Sequence, residues 1–406
     1  FVDRFDALHI GVFGVVLHMD IPDLTLPIVK MTVENEAMYG EKGIYTDYEN
    51  RDAEAQGCVS LYENGELQFT MPCAFKVVGN YSRRYDKKSY QVKFRTRYGA
   101  SKLKYDLFGD GEITEFKGFV LRSGSQDIPL AMMRDEFAQT VISGFTDTVL
   151  TQKYRPVSLF INDKYVGVYY IREKVNEDFV AAHYDVSPES VTIVANLMYR
   201  EYGADASDWY SLWSFIKQND LSSSSNYEYL AEHIDMNSVI DYYIALWWAD
   251  NRDEGNTRIF RSTENDGKWR LLFYDADMGF GSYIQYKGKD SAQFLYGTYC
   301  AGDDGVNNAL IYKLLRNATF RDLFLRRLNE WFEGALYDAN VNAAIEKIRT
   351  AIDHDMHYQP YSDYNTWSNT RLPELRNYVL GRTEVMKKEI KGLLGLSDAD
   401  MAKYFG

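Results

Sequence analysis

Basic residues are in short supply in this chain: 45 Lys and Arg face 59 Asp and Glu, a formal charge of −14 over 406 residues. A nucleic-acid partner is therefore not expected, because neutralising phosphates takes Lys and Arg in excess. A basic or metal-bridged ligand fits better. Apolar runs are short as well, the longest being of the kind of Val12 to Leu17, far below the roughly 20 residues that cross a bilayer. No membrane span is expected, and no basic-then-apolar leader pattern opens the chain. Cysteine is rare, with 3 in all, which allows at most one disulfide. Cys58 and Cys73 flank a hairpin-like segment turning at Asn64-Gly65. A two-residue turn centred there sets Cys58 opposite Met71 and leaves Cys73 one diagonal step off, so free thiols are the expectation. Internal repeats and a glycine-rich phosphate loop are also lacking; "LRSGSQD" offers only one Gly.

Apolar and aromatic residues are plentiful. They make up 46% and 15% of the chain, enough to fill sizeable cores, and a single core stops growing at roughly 250 to 300 residues. Two lobes are predicted. Short β-branched or alternating runs mark strands at Ile28 to Val33, Val59 to Tyr62, Leu67 to Thr70, Phe75 to Val78, Ser89 to Phe94, Phe119 to Arg122, Val157 to Ile161 and Val166 to Ile171. A helix over Ala131 to Ile142 interrupts them, started by Asp127 and Pro129. Beyond about Asn176 the apolar spacing becomes helical, over Trp209 to Asn219, Tyr227 to His233, Met236 to Ala249, Ala309 to Arg316, Arg321 to Phe332 and Val341 to Asp355. The expected fold class is α+β, with a strand-rich lobe over 1–175 and a mainly helical lobe over 176–406. One β-hairpin breaks the helical half: Thr257 to Arg261 and Lys268 to Tyr274, turning at Asn265-Asp266-Gly267.

The chemistry-bearing residues flank that hairpin. "DNRDEGN" (Asp250 to Asn256) precedes it and "DADMGFG" (Asp275 to Gly281) follows it, so both acidic loops leave the same end. Paired strands lie about 5 Å apart, which predicts that Asp253, Asn256, Asp275 and Asp277 converge on one metal ion. Hard oxygen donors of this kind suit Mg²⁺ or Mn²⁺ bound to phosphate oxygens. Protein kinases order their catalytic Asp and Asn, a hairpin and a metal-binding Asp in the same way. Here the order matches although neither His-Arg-Asp nor Asp-Phe-Gly is spelled out.

An anion calls for cations, and one stretch concentrates them: Arg83, Arg84, Lys87, Lys88, Lys93, Arg95, Arg97, Lys102 and Lys104. Lys88 and Lys93 are an odd number of positions apart and face opposite sides of a strand. Lys88 is the expected phosphate contact, with Arg122 and Arg134 as secondary ones.

The ordered segments "YSRRYDKKSYQVKF", "FKGFVLRSGSQD", "MMRDEFAQ", "YRPVSLFINDKYVGVYYIREKV", "HYDVSPESV", "NRDEGN" and "GKWRLLFYDADMGFG" resemble the CotH family, known from spore coat protein H and secreted bacterial relatives. The resemblance runs from Leu26 to Gly281. It implies a bilobal protein-kinase-like fold and an atypical kinase that uses ATP and Mg²⁺ or Mn²⁺ to phosphorylate Ser or Thr of a protein substrate. By resemblance, Asp253 after Asn251 is catalytic, Asp275 and Asp277 hold metal, Lys88 meets an ATP phosphate, and Glu173 lies near the adenine. It also implies an extracellular, cell-surface or spore-coat location. Two other readings of the same residues are a catalytically silent binding module and a glycoside hydrolase with Asp253 and Asp275 as its carboxylate pair.

Overall fold

The computed structural model describes residues 23–251, 256–282, 291–292 and 306–406. Asp253 lies outside the described residues.

Seven strands close into a barrel, in the order β1 (Ile28–Val33), β2 (Ala55–Glu63), β3 (Glu66–Val78), β4 (Ser89–Lys93), β7 (Gly118–Arg122), β9 (Lys164–Glu173) and β8 (Tyr154–Ile161). A short ribbon of β5 (Leu103–Lys104) and β6 (Glu115–Phe116) stands beside it. All pairings in the barrel are antiparallel except β1 with β8, the parallel contact that closes it. Closure removes the sheet edges that an open seven-stranded sheet would expose. Alternate side chains such as Val29, Met31, Val59, Leu61, Phe75, Val92 and Leu121 fill its interior.

The two strands expected at Leu67 to Thr70 and Phe75 to Val78 are one, running straight through Pro72. Asn64 and Gly65 both take positive φ, 52° and 80°, as the two-residue turn requires. A register shift at Leu61/Tyr62 then moves the ladder by one, so Cys58 faces Pro72 rather than Met71, while Cys73 faces Gly57. Both thiols are free.

A second sheet has the order β11 (Tyr199–Tyr202), β10 (Val191–Ala195), β12 (Arg258–Ser262) and β13 (Arg270–Leu272). The hairpin expected near residue 260 is thus its β12-β13 half. It does not stand alone among helices: β10 pairs along the whole of β12, from Val191 opposite Ser262 to Ala195 opposite Arg258.

Helices make up most of the rest, around a core that buries Trp209, Trp247, Trp248, Trp331 and Trp367 completely. The helix Met236–Ala249 begins at Asp235, whose carboxylate accepts the N–H groups of Asn237 and Ser238, and ends at Asp250 in the left-handed region. The helix expected from Ala131 starts at Arg134 instead. Asp127 still sets its start, accepting from the N–H groups of Met133 and Arg134 at 2.8 and 2.9 Å.

Two buried carboxylates fasten barrel to helices. Asp355, on the helix Asp338–Met356, accepts from Thr25 N at 2.8 Å, Leu26 N at 3.2 Å and the Ser158 hydroxyl at 2.7 Å. Asp135, on the helix Arg134–Ser143, pairs with Arg172 of β9 at 2.9 Å. No helix among the described residues is long and apolar enough to cross a membrane.

Candidate active site

Asn256 enters β12 and Asp275 leaves the strand that follows it, so the sheet itself sets them side by side: Asn256 Nδ2 donates to Asp275 Oδ2 at 3.2 Å. Asn251, at the end of the helix Met236–Ala249, donates to the main-chain oxygen of Asp275 at 3.2 Å. Asp275 holds φ at 60°, a left-handed conformation that Asp tolerates better than most residues and that turns the chain sharply after β13.

The segment beyond is fastened to the same helix end. Phe280, φ 54°, donates its N–H to Ala249 O at 2.6 Å, and its ring packs 5.2 Å from Phe137 and 5.0 Å from Trp248. A Cβ on Gly279 would stand 2.8 Å from Ala249 O, so the main chain approaches closely only because Gly is there. Gly281 has a reason of its own, a φ of 73° and the Tyr378 ring 2.7 Å from where a Cβ would stand.

Arg122, at the end of β7, points into the acidic cluster. Its Nη2 donates to Asp275 Oδ1 and stands 3.2 Å from Asp277 Oδ2 and 3.4 Å from Asp135 Oδ2. Burial works against the guanidinium charge, but the three carboxylates outweigh it and hold the proton more tightly than usual. Asp277 is buried and also accepts from Gln126 N at 3.3 Å. Burial and the charge of Asp275 push its carboxyl well up, against the pull of Arg122.

Behind this cluster Arg172 bridges Asp135 and Glu136, each at 2.9 Å, and donates to Gln152 at 2.9 Å. Burial drives the Glu136 carboxyl up to about 7. Arg172 and Arg122 overcome the same burial at Asp135 and hold it down to about 2.

These groups open on a cleft of about 710 Å³, walled by the barrel on one side and by β11, β12 and the segment after β13 on the other. Asn256, Asp275, Asp277, Arg122 and Glu173 all line it. So do Arg51, Lys76, Arg83, Lys174 and Arg258, giving seven basic side chains with Arg122 and Arg172 against four acidic ones, the reverse of the chain's balance. Burial lowers the pKa of both Lys76 and Lys174 by more than the carboxylates nearby, Asp52 and Glu54 for the first and Glu201 and Glu177 for the second, raise it.

The expected phosphate contacts divide. Lys88 is buried outside the cleft lining: its Nζ donates to the main-chain oxygens of Arg83 at 2.6 Å and Tyr85 at 3.1 Å, and it lies over the rings of Tyr45 and Tyr48. Arg134 is buried against Asp127, also away from the cleft. Glu173 reaches the cleft, but its carboxylate accepts from Lys153 N at 2.8 Å and lies 2.9 Å from His183 Nε2. The two lysines that line the cleft, Lys76 and Lys174, went unnoticed in the sequence. Lys76 pairs with Gln91 across β3 and β4, and Gln91 lines the same cleft; counting by twos from one wall residue would have found it.

The family model described as CotH kinase protein matches residues 75–386. No curated protein matches the chain.

Proposed function

The chain belongs to the CotH kinase family, and from that premise we propose that it is an ATP- and divalent-metal-dependent phosphotransferase acting on Ser or Thr of secreted, coat or surface proteins. The observation that carries the reading is the juxtaposition of Asp275, Asp277 and Asn256 at one wall of a cleft in which basic side chains outnumber acidic ones. We read 1–175, which carries the barrel, and 176–406, which carries the second sheet and most of the helices, as the two lobes of a kinase-like fold, with the cleft between them.

Among the described residues no group of three His, Cys, Asp or Glu is arranged to hold a metal. Two carboxylates and an amide nevertheless suit Mg²⁺ or Mn²⁺, which commonly takes one or two carboxylates and completes its shell with water and phosphate oxygens. Asp275 and Asp277 would hold it, with Asn256 beside them, and the ion would neutralise charge on the transferred phosphoryl group.

The protein's own groups have distinct parts. Lys76 and Lys174 offer charge to the nucleotide phosphates. Arg122 keeps two adjacent carboxylates from repelling each other and steadies them for the ion. Asp253, assigned by resemblance, takes the proton of the acceptor hydroxyl as the hydroxyl oxygen attacks the γ-phosphorus and the bond to the β–γ bridging oxygen breaks, releasing ADP. Glu173 and Lys174 also line a recess of about 80 Å³ with Phe116 and Phe179, which suits a flat base. Transfer of label from ATP to a Ser-rich acceptor, compared between wild type and Asp275→Asn, tests the reading.

A further inference from the structure

The nine cations between Arg83 and Lys104 asked for an anion, and most of them have one inside the fold. Lys93, Arg95 and Arg97 gather on Glu54, and Lys102 and Lys104 on Glu115. Lys87 and Lys88 spend their ammonium groups on main-chain oxygens. Arg83 and Arg84 are left over. Arg83 is 5% exposed, donates to Val77 O at 2.6 Å, and has a buried Nε without a partner. Arg51 is its close neighbour, and burial together with the Arg51 charge lowers the pKa of Arg83. Among the described residues none of the three arginines forms an ion pair with a carboxylate, whereas Arg122, Arg172 and Arg258 in the cleft all do.

These three arginines line a second pocket, of about 340 Å³, with the rings of Tyr48 and Tyr81 and a single acid, Glu49. It shares Arg51, Asn80, Tyr81 and Arg83 with the cleft, and Arg51 donates to Asn80 Oδ1, so the two spaces adjoin across the segment that follows β3. Arg84, Tyr48 and Glu49 line the pocket and not the cleft, while Asp275, Asp277 and Asn256 line the cleft and not the pocket. A ligand group seated here therefore lies beside the nucleotide space and away from the acidic cluster.

Guanidinium forks match carboxylate and phosphate oxygens in pairs, and like charges gathered around a buried guanidinium such as that of Arg83 are eased by an anion between them. We propose that this pocket is an acceptor subsite that takes an anionic side chain, a carboxylate or a phosphate, of the protein substrate. The proposal deepens the kinase reading and rests on it for the word acceptor. Arg83 grips the anion from the buried wall, the exposed Arg51 and Arg84 close on it from the surface, and Tyr48 and Tyr81 line the pocket beside them.

Fluorescein-labelled ten-residue peptides with a central Ser, flanked by Glu, phosphoserine, Gln or Lys, test this by polarisation with the full chain and no nucleotide. The Glu or phosphoserine peptide binds about tenfold more tightly than the Gln peptide, one charge-assisted pair being worth that much. The advantage disappears in Arg84→Glu, while the Kd for ATP is unchanged. Tighter binding of phosphoserine than of Glu assigns the pocket to phosphate; equal binding assigns it to any carboxylate or phosphate. Equal binding of the Gln or Lys peptide overturns the proposal, as does an Arg84→Glu variant that loses ATP as badly as peptide. Charge discrimination without any phosphoryl transfer keeps the pocket and sinks the kinase reading instead.

Discussion

Asp135 Oδ1 accepts the main-chain N–H of Ala276 at 3.1 Å, so a carboxylate on the helix Arg134–Ser143 holds the residue between Asp275 and Asp277. Its other oxygen takes Arg172 at 2.9 Å and lies 3.4 Å from Arg122. One buried side chain thereby ties together the barrel, the helix and the acidic loop.

Removing that carboxylate leaves the buried Arg172 with the Glu136 carboxylate alone, takes one of three carboxylates from the half-buried Arg122 and strands one buried N–H. Asp135→Ala should cost about 3–5 kcal/mol, the range for breaking a buried charge pair by deleting one partner, read from the urea midpoint. A loss below about 1 kcal/mol, typical of exposed pairs, would mean that the network is not holding the loop.

Lys76, which lines the cleft, and Lys88, expected there but lying outside it, make a sharp comparison. Lys76→Met takes a cation out of the cleft wall and should weaken ATP about tenfold, the worth of one charge-assisted contact, in a calorimetric titration. Lys88→Met removes hydrogen bonds to Arg83 O and Tyr85 O and should lower thermal stability with ATP affinity unchanged. The opposite assignment of effects would return Lys88 to the role first expected of it.

Glu54 gathers Lys93, Arg95 and Arg97, and Tyr98 donates to it as well. Burial pushes its carboxyl up, but Lys93 and Tyr98 prevail and hold it down to about 2. A folded pKa below the unfolded 4.5 stabilises the fold above pH 4.5, and this contribution disappears as the pH falls toward 2. Denaturation at pH 7 and pH 3 should therefore differ less in Glu54→Gln than in wild type. An unchanged difference would show that the cluster is too solvated to matter.

Much of this architecture is legible in the sequence wherever local rules and tertiary structure agree. The helix Met236–Ala249 is found at its expected ends because Asp235 and Asp250 cap it, and the hairpin because Gly267 supplies its turn at φ 71°. Closure of the barrel is not legible, since the parallel β1-β8 contact joins residues more than a hundred positions apart. "VTIVA" is a five-residue β-branched run that reads as a strand by itself, and β10 was missed only because the surrounding periodicity is helical.

At the site, Asn256, Asp275 and Asp277 come together as the hairpin suggested, Asp253 lies outside the described residues, and Arg122, expected as a phosphate contact, meets carboxylates instead. Lys88 and Arg134 looked like phosphate contacts because a sequence shows charge and not direction. Whether a lysine on a barrel strand faces a cleft or its own carbonyl groups depends on strand twist and neighbouring turns. The roles of Asp135 and Arg172 depend on contacts 37 residues apart, beyond any spacing rule.

The most direct test of the central claim is phosphoryl transfer with Mn²⁺ or Mg²⁺ and γ-labelled ATP to a Ser-rich acceptor. Wild type should label the acceptor only when metal is present, and Asp275→Asn should lose at least about a hundredfold, the scale of a lost electrostatic stabiliser of the transition state. Equal labelling by wild type and Asp275→Asn, or ATP binding indifferent to a chelator, would contradict the account.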